Sequence, residues 1–330
     1  MIGFEYNSTI FDDCNIVSAN CGLFRRVCSL IQSVSPTDIP VLIVGEMGTP
    51  KPIFVKEVHR NSKRRNGKLF TVDCANPDVG SLKIELFGHE SNGNKHYAMH
   101  KIGKLEQANG SSILLSEIGM APSAIQTRLL QVIQEQEIYR VGGHISVPTD
   151  VRIIATTSGN LESAIKNGSF RKDLFYRISV FPIIIPSLRD HSEDIEFLAI
   201  EFLILMSKRA NKKIKGISSD AMSLLKDYGW PGNILELEKS IEHAINLEKT
   251  EEIQSANLPK AILHTQNQIA KPDLPFIDAQ TRKILPLYEI ERRSIIHALR
   301  ITGNNIKRTA KILGINRATV YRKLEKYNLL

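Results

Sequence analysis

Two groups of residues in this chain could carry chemistry on their own spacing. The first is Gly45-Glu-Met-Gly-Thr-Pro-Lys51, which follows the apolar run Val41-Leu-Ile-Val44. A glycine turn closing on lysine is nearly the pattern G-x-x-x-x-G-K, whose backbone N–H groups converge on phosphate at a helix N-terminus. Gly45, Gly48, Thr49 and Lys51 are therefore the candidate cofactor-binding residues, with ATP or another nucleotide as the ligand. Pro50, however, stands where the pattern has its second glycine. It removes one donor outright and fixes φ where glycine's freedom would be used. Pro52 biases Lys51 away from helical geometry, so the following helix is expected to start at Pro52 itself. Each charge-assisted hydrogen bond lost costs about 1.5–3 kcal/mol, so one or two losses weaken triphosphate binding by roughly one to four decades. Lys51 remains as a point charge.

The second group is the carboxy-terminal run "LPLYEIERRSIIHALRITGNNIKRTAKILGINRATVYRKLEKYNLL". The chain carries a net charge of +8, and ten Lys/Arg against three Asp/Glu put +7 of it between Pro286 and Leu330. A nearly neutral body with a compact basic tail points to a polyanion partner for the tail. Three helices are legible. The first buries Ile290, Ile295, Ile296 and Leu299 and stops at Gly303. The second is capped by Asn304 or Asn305 and turns Ile306, Ala310 and Leu313 inward. The third, after Gly314, is capped by Asn316 and anchored by Val320 and Leu324. Its outward face offers Arg317, Ala318, Thr319, Arg322 and Lys323 to base edges in the major groove, while Lys307, Arg308 and Lys311 on the preceding helix suit phosphates. The expected target is double-stranded DNA with dyad symmetry, bound by a dimer.

The elements that must hold these groups alternate along the chain. "VLIVG", "KLFTVDC", "SSILLSEIG", "VRIIATTS" and "VFPIIIP" read as buried strands of a mainly parallel sheet, with "PIFVKEVHRNSKR" and "SAIQTRLLQVIQEQE" at helical spacing between them. That predicts an α/β fold with helices on both faces. From about Asp190 the pattern is purely helical. The expected organisation is a short segment 1–14, an α/β core 15–190, a helical lid 191–264, a linker 265–285 rich in polar residues, and a helical DNA-binding unit 286–330. No apolar stretch reaches membrane-spanning length and the start lacks signal-peptide character. Cys14, Cys21 and Cys28 recur every seven residues, the spacing of a helix face, and with Cys74 read as reduced thiols of a cytoplasmic protein.

The tail is similar to the Fis-type helix-turn-helix down to "RATVYRKL". The body, from about Asn15 to Leu263, resembles the central AAA+ domain of the sigma-54-dependent activators, the bacterial enhancer-binding proteins. The blocks "IELFGHE", "LLQVIQEQEIYRVGG", "FRKDLFYRISVFPIIIPSLRD" and "WPGNILELE" match that family in order and spacing. The resemblance implies a P-loop-type parallel sheet with a helical lid, self-association, and contact with RNA polymerase. It also exposes departures. The family carries Asp-Glu after the apolar run of "SILLSEIG", the aspartate organising magnesium and the glutamate activating water. Here the pair is Ser116-Glu117, and an uncharged hydroxyl is a poor ligand for a hard cation. Ser158 stands for asparagine after "ATT", and Leu235 for the lid arginine. Arg171 and Arg177 do match the positions resembling arginine fingers, which act across a subunit boundary. The family's Gly-Ala-Phe-Thr-Gly-Ala loop, its contact with sigma-54, is replaced after Glu90, where Asn94 and Lys95 take the places of phenylalanine and threonine.

These departures together predict a DNA-binding regulator whose body has lost ATP hydrolysis, with Glu117 vestigial, as well as sigma-54 contact. Such a body would serve for oligomerisation and for sensing a ligand in the old nucleotide cleft. Because about fourteen residues precede the resemblance, no fused receiver domain is expected. Rival readings are a working ATP-dependent sigma-54 activator and a receptor for a cyclic dinucleotide or similar anion. His96 and His100 at i, i+4 lack a third ligand for zinc, so no metal site is expected. The run "HRNSKRRNGK" reads as a solvated helix end.

Overall fold

The computed structural model describes residues 22–90, 101–263, 287–302 and 305–327. The positions of Asn94, Lys95, His96, His100, Gly303, Asn304, Cys14, Cys21 and the linker fall outside these. By internal contacts the chain divides into a unit of residues 1–263 and a unit of residues 264–330.

In the α/β part of the first unit the strands are β1 (Val41–Val44), β2 (Leu69–Asp73), β3 (Ser112–Ser116), β4 (Glu137–Tyr139), β5 (Ser146–Pro148), β6 (Arg152–Thr157) and β7 (Phe181–Ile184), and in the lid a two-residue pair, Gly216–Ile217 with Glu252–Ile253, runs parallel. Five of them form a parallel sheet in the order β2-β3-β6-β1-β7. The five apolar runs of the sequence are these five strands. The antiparallel hairpin β4–β5 was not legible, because strands of three residues are too short to show an alternation.

Alternation along β1 divides the core. Val41 and Ile43 face one side, where they meet Phe24 and Ile31 of helix α1 (Gly22–Val34) and Phe54 of helix α2 (Lys51–Arg60). Leu42 faces the other side, with Leu82 and Leu86 of helix α3 (Val79–Phe87) and Leu129 of helix α4 (Ser123–Glu135). The first core runs on without a break into the lid. There Leu198 and Phe202 of helix α5 (Glu193–Arg209), Leu225 of helix α6 (Ser219–Asp227) and Leu237 of helix α7 (Asn233–Leu247) close around the fully buried Trp230.

Arg152 sits in β6 amid apolar neighbours and is only 1% exposed. Its guanidinium donates to the carbonyls of Ser35 and Val34 at 2.7 and 3.0 Å, capping the open C-terminal end of α1.

In the second unit, helices α8 (Leu287–Thr302), α9 (Ile306–Ile312) and α10 (Arg317–Lys326) pack around Ile295, Ala310, Val320 and Leu324. Asn305 accepts from the N–H of Arg308 at 3.1 Å and Asn316 from that of Thr319 at 2.7 Å, so both helices of the turn start on an asparagine cap. Gly314 sits between them at φ +67, the left-handed region that the tight turn requires. One interior contact is polar. Thr302 and Thr309 bring their hydroxyls to 2.7 Å, with Thr309 wholly buried.

Candidate functional site

The glycine turn joins β1 to α2 at the carboxyl end of the sheet, where open α/β sheets bind ligands. Helix α2 begins at Lys51, with Pro50 as its N-cap and Pro52 inside its first turn. The helix thus starts one residue earlier than the prolines suggested. A first-turn N–H has no partner within the helix, so Pro52 forfeits no bond there and Lys51 can adopt helical geometry.

The turn is closed on itself. The N–H of Thr49 donates to the Glu46 carbonyl at 3.3 Å and that of Lys51 to the Thr49 carbonyl at 2.8 Å, while Pro50 has no N–H to offer. The Thr49 hydroxyl also turns to the Glu46 carbonyl, at 2.7 Å.

Lys51 is 7% exposed, and all three of its ammonium donors are occupied. They reach the Gly45 carbonyl at 2.8 Å, the Glu46 carbonyl at 3.0 Å and the Ser158 hydroxyl at 2.6 Å. Burial pushes its pKa below the ordinary lysine value, opposed by the Glu117 carboxylate 3.7 Å away. Glu117 follows β3 in the left-handed conformation at φ 49, a strained geometry for a glutamate. Its two oxygens accept from the Ser158 hydroxyl at 2.7 Å and the Ser158 N–H at 2.8 Å. Lysine, serine and glutamate form one closed circuit. The sequence had marked Ser158 only as a departure from a family position. Its hydroxyl is in fact the hinge of the whole charge arrangement.

The lid is stapled to the turn. Buried Asn233, held at φ 51, donates to the Met47 carbonyl at 3.0 Å and the Glu46 carboxylate at 3.2 Å, and accepts from the N–H of Leu188 at 3.0 Å. The N–H of Leu235 donates to the Gly48 carbonyl at 3.1 Å. Arg189 forks onto Glu46 at 2.8 and 2.5 Å, and that hydrogen-bonded guanidinium holds the carboxyl down at about 2. Gly48 has φ +78, and a Cβ there would fall 2.0 Å from the Gly232 carbonyl oxygen. None of these staples announced itself in the sequence, since those reaching the turn join positions some 140 to 190 residues apart.

Beside this circuit lies a cavity of about 810 Å³, lined by Met47, Gly48, Thr49, Lys51, Ser116, Glu117, Met120, Leu161 and Leu235, among others. Ser116 does stand on it, in the place where the family carries aspartate. Among the described residues no group of three His, Cys, Asp or Glu is arranged to hold a metal ion. Arg171 and Arg177 do not line this cavity. Arg171 is the N-cap and Arg177 stands in the last turn of the surface helix 172–178, both exposed, and Arg171 forks onto Asp173 at 3.0 and 2.7 Å.

In the second unit Lys307, Arg308, Lys311, Arg317, Ala318 and Arg322 are exposed. Thr319 is half-buried, and its hydroxyl donates to the Asn316 cap at 2.8 Å. Lys323 departs from the sequence reading. It does not stand free on the outer face but pairs with Glu291 of α8, whose other oxygen accepts from the Tyr327 hydroxyl at 2.6 Å. At its helical position Lys323 falls between the inward anchors Val320 and Leu324, which turns it toward α8. Tyr321, which the sequence reading did not single out, is 53% exposed on the same helix as Arg317 and Arg322. In the run "HRNSKRRNGK", Arg64 is structural, bridging Asp38 and Asp150 at 2.8 and 2.7 Å.

Residues 17–184 match the Sigma-54 interaction domain, residues 189–274 the AAA+ ATPase lid domain, and residues 286–327 the bacterial regulatory protein Fis family. The chain is 39% identical over 302 residues to the transcriptional regulatory protein ZraR of Escherichia coli K12, covering 92% of this chain and 66% of ZraR. It is 37% identical over 322 residues to the regulatory protein AtoC of the same organism, covering 95% of this chain and 68% of AtoC. The chain thus spans about two thirds of the length of these curated relatives. Among solved structures, NtrX from Brucella abortus in complex with ATP superposes with a TM-score of 0.67 at 32% identity, over 92% of this chain and 67% of NtrX. A closed-state Hsp104 reconstruction, at TM-score 0.52 and 15% identity over 72% of this chain and 46% of that one, shares the fold alone. No helix among the described residues is long and apolar enough to cross a membrane.

Proposed function

Because this chain belongs to the family of sigma-54-dependent transcriptional activators, with a Fis-type DNA-binding unit at its carboxy-terminal end, we propose that it is a regulator whose AAA+ body no longer hydrolyses ATP. The body then serves to bring DNA-binding units together and to sense a ligand. The observation that carries this reading is the closed circuit. Lys51 gives its three donors to Gly45, Glu46 and Ser158, and Glu117 gives both oxygens to Ser158. Phosphoryl transfer needs the lysine free for phosphate, a metal to neutralise charge and a carboxylate free to orient water. Ser116 supplies no anionic oxygen for the metal.

Loss of the sigma-54 contact rests on Asn94 and Lys95 replacing the family's phenylalanine and threonine. Promoter control then runs through RNA polymerase carrying another sigma factor. Self-association is supported by the exposed Arg171 and Arg177, at positions resembling subunit-bridging arginine fingers. With a dimer, the helix-turn-helix units read a dyad-symmetric site, Arg317, Ala318 and Arg322 facing bases and Lys307, Arg308 and Lys311 facing phosphates.

A second reading is favoured by one finding. NtrX, 32% identical, is described in complex with ATP. On that reading the cleft still holds nucleotide as an assembly factor. Both are tested by nucleotide binding and turnover on the purified full chain. The proposal expects no turnover above background and no difference in Glu117→Gln. Turnover abolished by Glu117→Gln would overturn it. Binding without turnover would favour the assembly reading.

A further inference from the structure

If the body has lost turnover, the cavity beside Lys51 is left without its ligand, and its walls say what fits there instead. This step rests on the reading of lost hydrolysis. Among the described residues lining the cavity, a polyanion meets no free cation. Lys51 has no donor left, Pro50 has no N–H, and the N–H groups of Thr49 and Lys51 are turned to the loop's own carbonyls. The lysine and glutamate charges also oppose each other 3.7 Å apart, so the polar end of the cavity presents little net field.

Most of the remaining wall is apolar, formed by Met47, Pro52, Leu114, Met120, Leu161 and Leu235, with the uncharged Thr156, Thr157, Asn160 and Ser169 between them. Met47 and Met120 are 76% and 67% exposed, and such flexible, polarisable side chains adapt to varied apolar shapes. Leu235 faces the cavity where the family's arginine would stand. One polar group on this wall, the Ser116 hydroxyl, makes no side-chain hydrogen bond among the described residues. About 810 Å³ lies within the range of roughly 300–1,000 Å³ typical of small-molecule sites, which combine apolar walls with a few orienting polar groups.

We infer that this cavity receives an uncharged, largely apolar small molecule, gripped by the methionine and leucine walls and oriented by the Ser116 hydroxyl. Nucleotides and cyclic dinucleotides are disfavoured, since either would have to break the circuit to find a cation. The occupant reports to the lid directly, because Leu235 both lines the cavity and donates its N–H to Gly48.

The test uses the full chain and the uncharged fluorophore N-phenyl-1-naphthylamine. Its emission should rise saturably with one site per chain. Affinity should fall at least about tenfold in Leu235→Arg and in Met120→Glu, each of which puts a charge against the apolar wall. Met120 is mostly exposed, so its variant folds whatever becomes of Leu235→Arg. Emission that does not saturate, or affinity unchanged in either variant, overturns the inference. So does competitive displacement of the probe by magnesium-ATP or a cyclic dinucleotide, because a polyanion would then be the preferred occupant. Turnover on the same samples reports separately on the parent reading. ATP hydrolysis sinks that reading whatever the probe does, and its absence together with no probe binding sinks the inference alone.

Discussion

Replacing Asn233 with alanine tests whether the lid is stapled to the glycine turn as described. Asn233 is fully buried and its amide joins three chain segments. Alanine leaves the Leu188 N–H without its acceptor, and a buried donor stranded in this way costs about 1–3 kcal/mol. The Met47 carbonyl loses a donor as well, a net loss of about 0.5–1.5 kcal/mol. Asn233 also holds φ 51, and alanine tolerates that left-handed region less well than asparagine, adding a fraction of the roughly 1–2 kcal/mol it costs a residue without a local side-chain bond. The sum is about 3 kcal/mol for Asn233→Ala. Asn233→Gly removes the same hydrogen bonds without the backbone strain, so it should be milder by about 1 kcal/mol. Urea unfolding of the full chain, followed through the fluorescence of Trp230, reads the body on its own. Trp230 is the only tryptophan and lies next to the staple. The midpoint should fall with the slope unchanged. A shift below about 0.5 kcal/mol in Asn233→Ala, typical of an uninvolved surface position, would refute the reasoning.

Further predictions concern both units. Arg317→Ala and Arg322→Ala should each reduce discrimination between DNA sites by about 1–3 kcal/mol in competition binding, whereas Lys307→Ala should weaken all sites alike and flatten the salt dependence by about one unit. Glu46 is held at about 2 by the Arg189 hydrogen bond, against an ordinary value of 4.5, so its pairing is fully present above pH 4.5 and fades as pH falls toward 2. Arg189→Met should therefore match wild type in acid and be less stable at neutral pH, by under about 1 kcal/mol because both side chains are nearly half exposed. Acid titration of unfolding in the two proteins checks the sign. Thr309→Val should cost the helix-turn-helix about 1 kcal/mol and not more, since the Thr302 hydroxyl still donates to the Ala298 carbonyl at 2.8 Å. Thermal unfolding would then show a drop of about 5 °C confined to that unit.

The sheet and the recognition helices were legible because local pattern determines them. Short apolar runs rich in β-branched residues and flanked by turn residues favour buried strands, and asparagine ahead of an apolar periodicity marks a helix start. What escaped was set by tertiary partners. Nothing in the strand pattern explains a buried Arg152, whose partners are the carbonyls at the end of α1. Lys323 lay on the basic helix, and only the packing of α8 turned it to Glu291. The replacement of asparagine by Ser158 was visible, but its consequence was not, because the hydroxyl matters only when Lys51 and Glu117 close on it. The starting point of α2 was misjudged by one residue because a residue ahead of proline is disfavoured in a helix, not barred from it.

Gly48 carries a consequence for how such sequences are interpreted. The Gly232 carbonyl presses so closely that no Cβ can be accommodated, and the backbone angle itself excludes most side chains. A saturation mutagenesis screen would therefore score this position as intolerant even in a protein that never meets a triphosphate. The surviving glycine is a weak witness for nucleotide chemistry, because steric pressure from the lid is enough to keep it in place.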